Sequence, residues 1–259
     1  MSKETTLPTY DLRAIPAGTF MMGAIPDDPN SNFFEHARHE VTLSKKIYVG
    51  QYLVTQDLWK AVMGNNPSKF KGDRHPVDSI SWFDSVQFCN KLSELHELEP
   101  VYTIEKAAIN YDVHCNWEAK GYRLLTEAEW EYCARGGQND IFSGSDDPYE
   151  VAWFRFNTGR TTRPVGELKP NGFGLFDMSG NLEEWVWDYY REMTYHERLR
   201  SSEPIVDPRG PEHSRYRVTR GGSWFANPHF IRSSVRYHNV PDCRLNIIGL
   251  RLALANFGS

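Results

Sequence analysis

Apolar positions recur at helical spacing in three short windows of the chain. The stretch Thr55-Gln56-Asp57-Leu58-Trp59-Lys60-Ala61-Val62-Met63-Gly64 opens on an N-cap threonine with an acid in its first turn and closes on a glycine suited to the left-handed C-terminal position. From Ser81 to His96, Trp82, Val86, Cys89 and Leu92 repeat along one side, and Ser81 with Asp84 resembles a capping box. Thr126 to Arg135 carries a second such box, Thr126 with Glu129, and Gly136-Gly137 stops it. Strand-like alternation is confined to short runs: Gly18–Gly23, Glu40–Val49 and Arg215–Arg220. Proline, glycine and polar residues dominate 140–174 and 194–212, so long structured loops are expected there. The pattern predicts one α+β domain over 1–259, with short helices, small antiparallel sheets and many long loops.

Composition narrows the function classes. The chain has 259 residues, 40% hydrophobic and 14% aromatic, enough to bury a sizeable core. Its net charge of -5 supplies no basic field for phosphates, so nucleic-acid binding is not expected. No apolar run approaches the roughly 18 residues of a membrane span, so no transmembrane segment is expected. Met1-Ser2-Lys3-Glu4-Thr5-Thr6-Leu7-Pro8 has no hydrophobic signal core. Either the protein is cytosolic or a targeting segment is missing from this sequence; the expectation carried forward is a bacterial cell surface, with the anchor or signal absent. Cys89, Cys115, Cys133 and Cys243 form no CxxC pair, which argues against a zinc ribbon or a disulfide framework.

The segment Pro170-Asn171-Gly172-Phe173-Gly174-Leu175-Phe176-Asp177-Met178-Ser179-Gly180-Asn181-Leu182-Glu183-Glu184-Trp185-Val186-Trp187-Asp188 resembles the signature of the formylglycine-generating enzyme (sulfatase-modifying factor) family. Further landmarks follow in order: Ile15–Gly23, Pro76–Trp82, Tyr122–Glu131, Arg220-Gly221-Gly222-Ser223-Trp224 and Gly249–Ala253. The resemblance covers nearly the whole chain and implies a C-type-lectin-like fold. It also implies where chemistry would sit. The family's oxidases place two cysteines shortly after the Gly-Gly-Ser-aromatic motif as a copper-binding thiol pair, and soft thiolates suit Cu(I). The matching stretch here, Phe225-Ala226-Asn227-Pro228-His229-Phe230-Ile231, has neither, and Cys243 is alone. His36, His39, His229 and His238 have no carboxylate partner at ligand spacing. No catalytic residue and no catalytic cofactor are therefore expected, and the alternatives are a metal-dependent oxidase using other ligands or a structural lipoprotein with this fold.

The stretch from Phe225 to Ile248 contains no Trp, Met, Gln, Lys or Glu. An asparagine codon mutated only at its two adenines cannot reach those same five types. Phe225, Ala226, His229, Phe230, Val235, Tyr237, His238, Val240, Cys243, Leu245 and Ile247 are all reachable, and Asn227, Asn239 and Asn246 read as unmutated positions. Region 221–252 is thus similar to the variable region of diversity-generating-retroelement target proteins of the treponemal variable type, with Leu250 standing where phenylalanine is usual. An ordinary strand-rich segment poor in helix formers is the competing reading.

A varied surface must be exposed and supported from elsewhere. The fourteen reachable or asparagine positions are expected to form the ligand-binding surface for a protein or surface ligand, on a protein expected to be a monomer. Phe225, His229, Phe230, Tyr237, His238, Val240, Leu245 and Ile247 should form one exposed patch above buried Trp224, Arg232, Arg236 and Arg251, because burying each apolar residue would make variation intolerable. Arg232, Arg236 and Arg244 are read as donors to buried carbonyls or carboxylates beneath it, with direct anion binding as the alternative. The resemblance also implies a structural calcium ion held by Asp177, the carbonyls of Gly180 and Leu182, and Glu184, since hard oxygen ligands suit calcium. The alternative is a turn in which Asp177 and Glu184 are solvated or paired with arginine. A second calcium site of the family is not expected, because Val151 replaces its asparagine.

Overall fold

In the computed structural model, which describes residues 7–26, 28–106, 111–200 and 203–255, the helices form where their end signals stand. They are α1 (Gln56–Met63), α2 (Trp82–Leu95) and α3 (Glu127–Arg135). Ser81 with Asp84, and Thr126 with Glu129, make both reciprocal bonds of the capping box. Gly64 and Gly136 end α1 and α3 in the left-handed conformation. Thr55 opens α1 differently: its hydroxyl donates to the Asp57 carboxylate, which itself accepts from the Leu58 N–H. Two shorter helices, α4 (Pro148–Val151) and α5 (Thr194–Leu199), interrupt the stretches expected to be loops. Of the N-terminal stretch Met1–Pro8, Met1–Thr6 lie outside the described residues.

Twelve short strands complete the described residues: β1 (Leu12–Ile15), β2 (Gly18–Met22), β3 (His39–Leu43), β4 (Ile47–Gly50), β5 (Tyr102–Lys106), β6 (Tyr111–Cys115), β7 (Tyr122–Arg123), β8 (Glu183–Tyr189), β9 (Arg217–Arg220), β10 (Arg236–Asn239), β11 (Ile248–Leu250) and β12 (Ala253–Ala255). The run expected as one strand over 40–49 is two, β3 and β4, broken at 44–46. One four-stranded sheet has the order β1-β4-β12-β7 and a second β10-β9-β8-β11, while β2-β3 and β5-β6 are hairpins. The architecture is the expected α+β one, with one departure: β11 runs parallel to β8, with Gly249 opposite Glu184. All other pairings within and between the named strands are antiparallel.

The core forms on the two sides of the second sheet. Alternation sends Val186 and Val218 into a cluster with Trp130, Ala128 and Tyr195, and Trp185 into another with Trp82, Phe88, Ile248 and Leu250. Trp82, Trp130 and Trp185 are fully buried, and each indole N–H has an acceptor: the Val186 carbonyl, Glu184 Oε2 and the Ile80 carbonyl. Burial of side chains of this size contributes about 1.5–3 kcal/mol apiece, and the paired N–H groups remove the penalty that would oppose it.

Candidate functional site

Residues 221–252 run from the end of β9 through an irregular loop, the edge strand β10, a second loop and β11. Gly222 sets the entry turn, with φ of 69° and a position where an added Cβ would stand 2.5 Å from the Phe230 carbonyl oxygen. Trp224 is buried, donates through its N–H to Asn181 O at 2.8 Å, and through its indole to Asn246 O at 2.9 Å. One framework side chain therefore ties both ends of the expected variable segment together.

Arginines hold the segment from below. Arg232 donates to Asp28 (2.5 Å), to both oxygens of Glu35 (2.8 and 3.0 Å) and to His229 O (2.7 Å). Arg236 forks onto Glu127 at 2.6 and 2.9 Å, and its guanidinium is as buried as that carboxylate. Arg220 donates to Glu131 at 2.5 Å and to the carbonyls of Ser233, Ser234 and Val235. Burial opposes ionisation of Glu127, yet Arg236 and Arg220 hold its carboxyl down to about 2. Arg244 is not beneath the surface as expected: it lies at the side, exposed, paired with Asp84 at the start of α2.

On this support Phe225 (56% exposed), Phe230 (44%), Leu245 (39%), His229 and His238 are exposed. Ala226, Asn227, Tyr237, Asn239, Val240, Cys243, Asn246 and Ile247 are half-buried. Val235 is the exception among the fourteen: it is 5% exposed, a buried residue rather than a surface one. Its carbonyl is fixed by Arg220 at 2.6 Å just before β10 begins, which turns the side chain inward. The eight expected patch residues also do not share one face. On β10 alternation puts Tyr237 and Asn239 beside Thr219 and Arg217, whereas His238 lies beside Val218 and stacks on Tyr190 at 4.2 Å. The exposed surface wraps the edge strand. Trp224, Arg232, Arg236 and Arg251 have the buried side chains expected of them.

The calcium set does not assemble in the expected way. Both oxygens of Glu184 accept from Arg251, at 2.7 to 3.1 Å, and Oε2 also takes the Trp130 indole at 2.8 Å. Arg251 further donates to the carbonyls of Gly50, Gln51 and Phe176. A buried guanidinium thus takes both oxygens of the fourth ligand, and the set does not fit a calcium ion. Asp177 accepts from Gly166 N and Asn181 Nδ2, and burial raises its carboxyl to about 6. Cys243 is a free thiol pushed up to about 11 by burial.

Two features escape a reading of the sequence. Tyr149 and Phe156 are exposed and connect through Phe154 ring contacts, while the Arg155 guanidinium lies 5.6 Å over Phe225 and the Arg155 backbone N–H donates to Ala226 O. The aromatic run Trp153-Phe154-Arg155-Phe156 inside an expected loop was the available signal. The second is Glu183, on the face of β8 opposite to Glu184, whose carboxyl burial pushes up to about 7. Consecutive glutamates on one strand were its only sign.

Residues 1–256 match the model of the sulfatase-modifying factor enzyme 1-like domain. The chaperone protein LppX of Paenibacillus barcinonensis is 38% identical over 218 residues, 72% of this chain and 72% of that protein. The formylglycine-generating enzyme of Bos taurus is 31% identical over 213 residues, which are 75% of this chain but 48% of the enzyme, so the chain spans about half of that relative's length. Among solved structures, Treponema denticola variable protein 1 has a TM-score of 0.83 at 32% identity, covering 95% of each chain.

Proposed function

Since the chain belongs to the sulfatase-modifying factor enzyme 1-like family, we propose that it is a member that binds rather than oxidises, with 225–247 as the contact surface for a protein or surface ligand. One observation carries the reading. Of the eleven side chains an adenine-directed mutagenesis can reach, all but Val235 are exposed or half-buried, on a segment held from beneath by the Arg232, Arg236 and Arg220 ion pairs. Exposed Phe225, Phe230 and Leu245 make no sense as core and suit a paratope-like contact. The similarity to Treponema denticola variable protein 1 supports diversification by a retroelement. The whole of 1–259 acts as one domain and a monomer, displayed at a bacterial cell surface; among the described residues no helix is long and apolar enough to cross a membrane.

Its gene tests this directly. A neighbouring reverse transcriptase and a near-identical repeat with asparagine codons at the variable positions are expected, and their absence refutes diversification. A second reading, a chaperone or assembly component with one fixed partner, is favoured by the similarity to LppX; it requires the same surface without the template repeat. The oxidase alternative predicts stoichiometric copper or iron with oxygen consumption during peptide oxidation. Turnover of that kind would overturn the binding reading.

A further inference from the structure

Glu183 begins β8 and is 6% exposed, on the same sheet face as Thr219, Tyr237 and Asn239. Its Oε2 accepts from Thr219 Oγ1 at 2.7 Å, and Asn239 Nδ2 donates to that hydroxyl at 3.2 Å. No donor reaches Oε1, and no lysine, arginine or histidine pairs with the carboxylate among the described residues. Every other buried glutamate facing the second sheet has a cation: Glu184 has Arg251, and Glu127 and Glu131 have Arg236 and Arg220. The group is not isolated from the contact surface. It acts electrostatically on Tyr237 and Cys243, and its backbone N–H donates to Ile247 O at 2.9 Å. Tyr237 and Cys243 are therefore within electrostatic reach of a carboxylate that is itself outside the variable segment, and the backbone of Ile247 is bonded to the same residue.

A carboxylate this deep costs free energy unless it is paired, and a single external cation would pair it. We infer that Glu183 is a fixed anchor for one lysine or arginine side chain of a protein partner docking on the 225–247 surface, an inference that rests on the binding reading above. The chemistry of the surroundings fits such a side chain. The half-buried Tyr237 ring, on the same sheet face, offers an apolar flank to its methylene stem while the charged head reaches Glu183. Phe225 and Phe230, with Arg155, Tyr149 and Phe156 beyond them, extend the contact to the size a protein segment fills rather than a small cation. The net charge of -5 favours a basic partner from a distance.

A random peptide library panned on the full chain tests this, using Glu183→Gln, Tyr237→Arg, Phe225→Ala and Phe230→Ala as comparators. Glutamine keeps an acceptor for Thr219 and is expected to melt with the wild type; arginine at 237 supplies an internal counter-ion. Peptides selected on the wild type should be enriched in Lys or Arg at one position and bind Glu183→Gln and Tyr237→Arg at least about tenfold more weakly. Peptides that depend on Phe225 and Phe230 yet show no basic enrichment, or that keep their affinity for Glu183→Gln, overturn the anchor and leave the contact surface standing. Selected peptides indifferent to Phe225→Ala and Phe230→Ala overturn the surface and the anchor together. Melting curves of the four variants show whether any loss is simply unfolding.

Discussion

Trp224 and Asn246 are joined by an indole hydrogen bond of 2.9 Å, so a framework residue at the start of the surface segment holds an expected variable position near its end. The bond goes to a backbone carbonyl, which every residue possesses. Side-chain variation at 246 therefore leaves the tie intact, and the support does not depend on which surface it carries. Trp224→Phe should cost about 1–2 kcal/mol by urea unfolding, through the lost hydrogen bond and reduced packing. Amide exchange should accelerate in 240–247 more than in β8 and β9. A uniform change across the sheet would contradict the tie.

Removing Arg232 leaves Asp28 and Glu35 buried without a cation, because both side chains are almost fully covered. Arg232→Ala should destabilise by about 3–5 kcal/mol, whereas Phe225→Ala, Phe230→Ala and Leu245→Ala should each stay within about 0.5 kcal/mol. Val235→Ala belongs with the buried class and should cost about 0.5–2.5 kcal/mol. Denaturant midpoints measured side by side rank these five. If Val235 behaves like Phe225, its assignment to the interior is wrong.

Asp188 makes stability depend on pH. Burial, reinforced by Glu127, raises its carboxyl from 3.8 to about 7, while Oδ2 accepts from Glu127 N and Oδ1 has no partner among the described residues. Between those two values the folded state holds a proton that the unfolded state has released, so this group's contribution to stability falls as pH rises from about 4 to about 7. Asp188→Asn keeps an acceptor for the Glu127 N–H and removes the charge. Its stability profile should be flatter over that window, with the variant gaining up to a few kcal/mol on the wild type near pH 8. Parallel curves for the two proteins would show that the carboxyl titrates normally.

Calcium should not move the melting temperature, in either direction, when added in excess or removed with a chelator. Arg251 already pairs with both oxygens of Glu184, the carboxylate a metal ion would need. Glu184→Ala should nevertheless be severely destabilising, by about 3–5 kcal/mol, since it orphans a fully buried guanidinium and the Trp130 indole. A melting temperature that rises with calcium and no longer does so in Glu184→Ala would restore the metal site.

The sequence alone determined what depends on neighbours a few residues apart. Ser81 with Asp84 and Thr126 with Glu129 fix two helix starts because a capping box closes over three residues, and Gly64 and Gly136 fix two ends through the left-handed conformation. Residue types likewise announced a surface at Phe225, Phe230 and Leu245, since their identities reflect tolerance of change rather than a place in the fold. Tertiary structure decided everything that turns on who faces whom. Arg232 meets Glu35 across 197 positions and Arg251 meets Glu184 across 67, so no local pattern could say that an arginine, rather than a metal ion, would complete the signature glutamate. Strand alternation separated His238 from Tyr237 and Glu183 from Glu184, which are adjacent in sequence and on opposite faces once paired. Only the order of the second sheet, with β11 laid parallel on β8 and β10 at the far edge, brought Arg251 to Glu184, Arg236 to Glu127 and Arg220 to Glu131, and left Glu183 without one among the described residues.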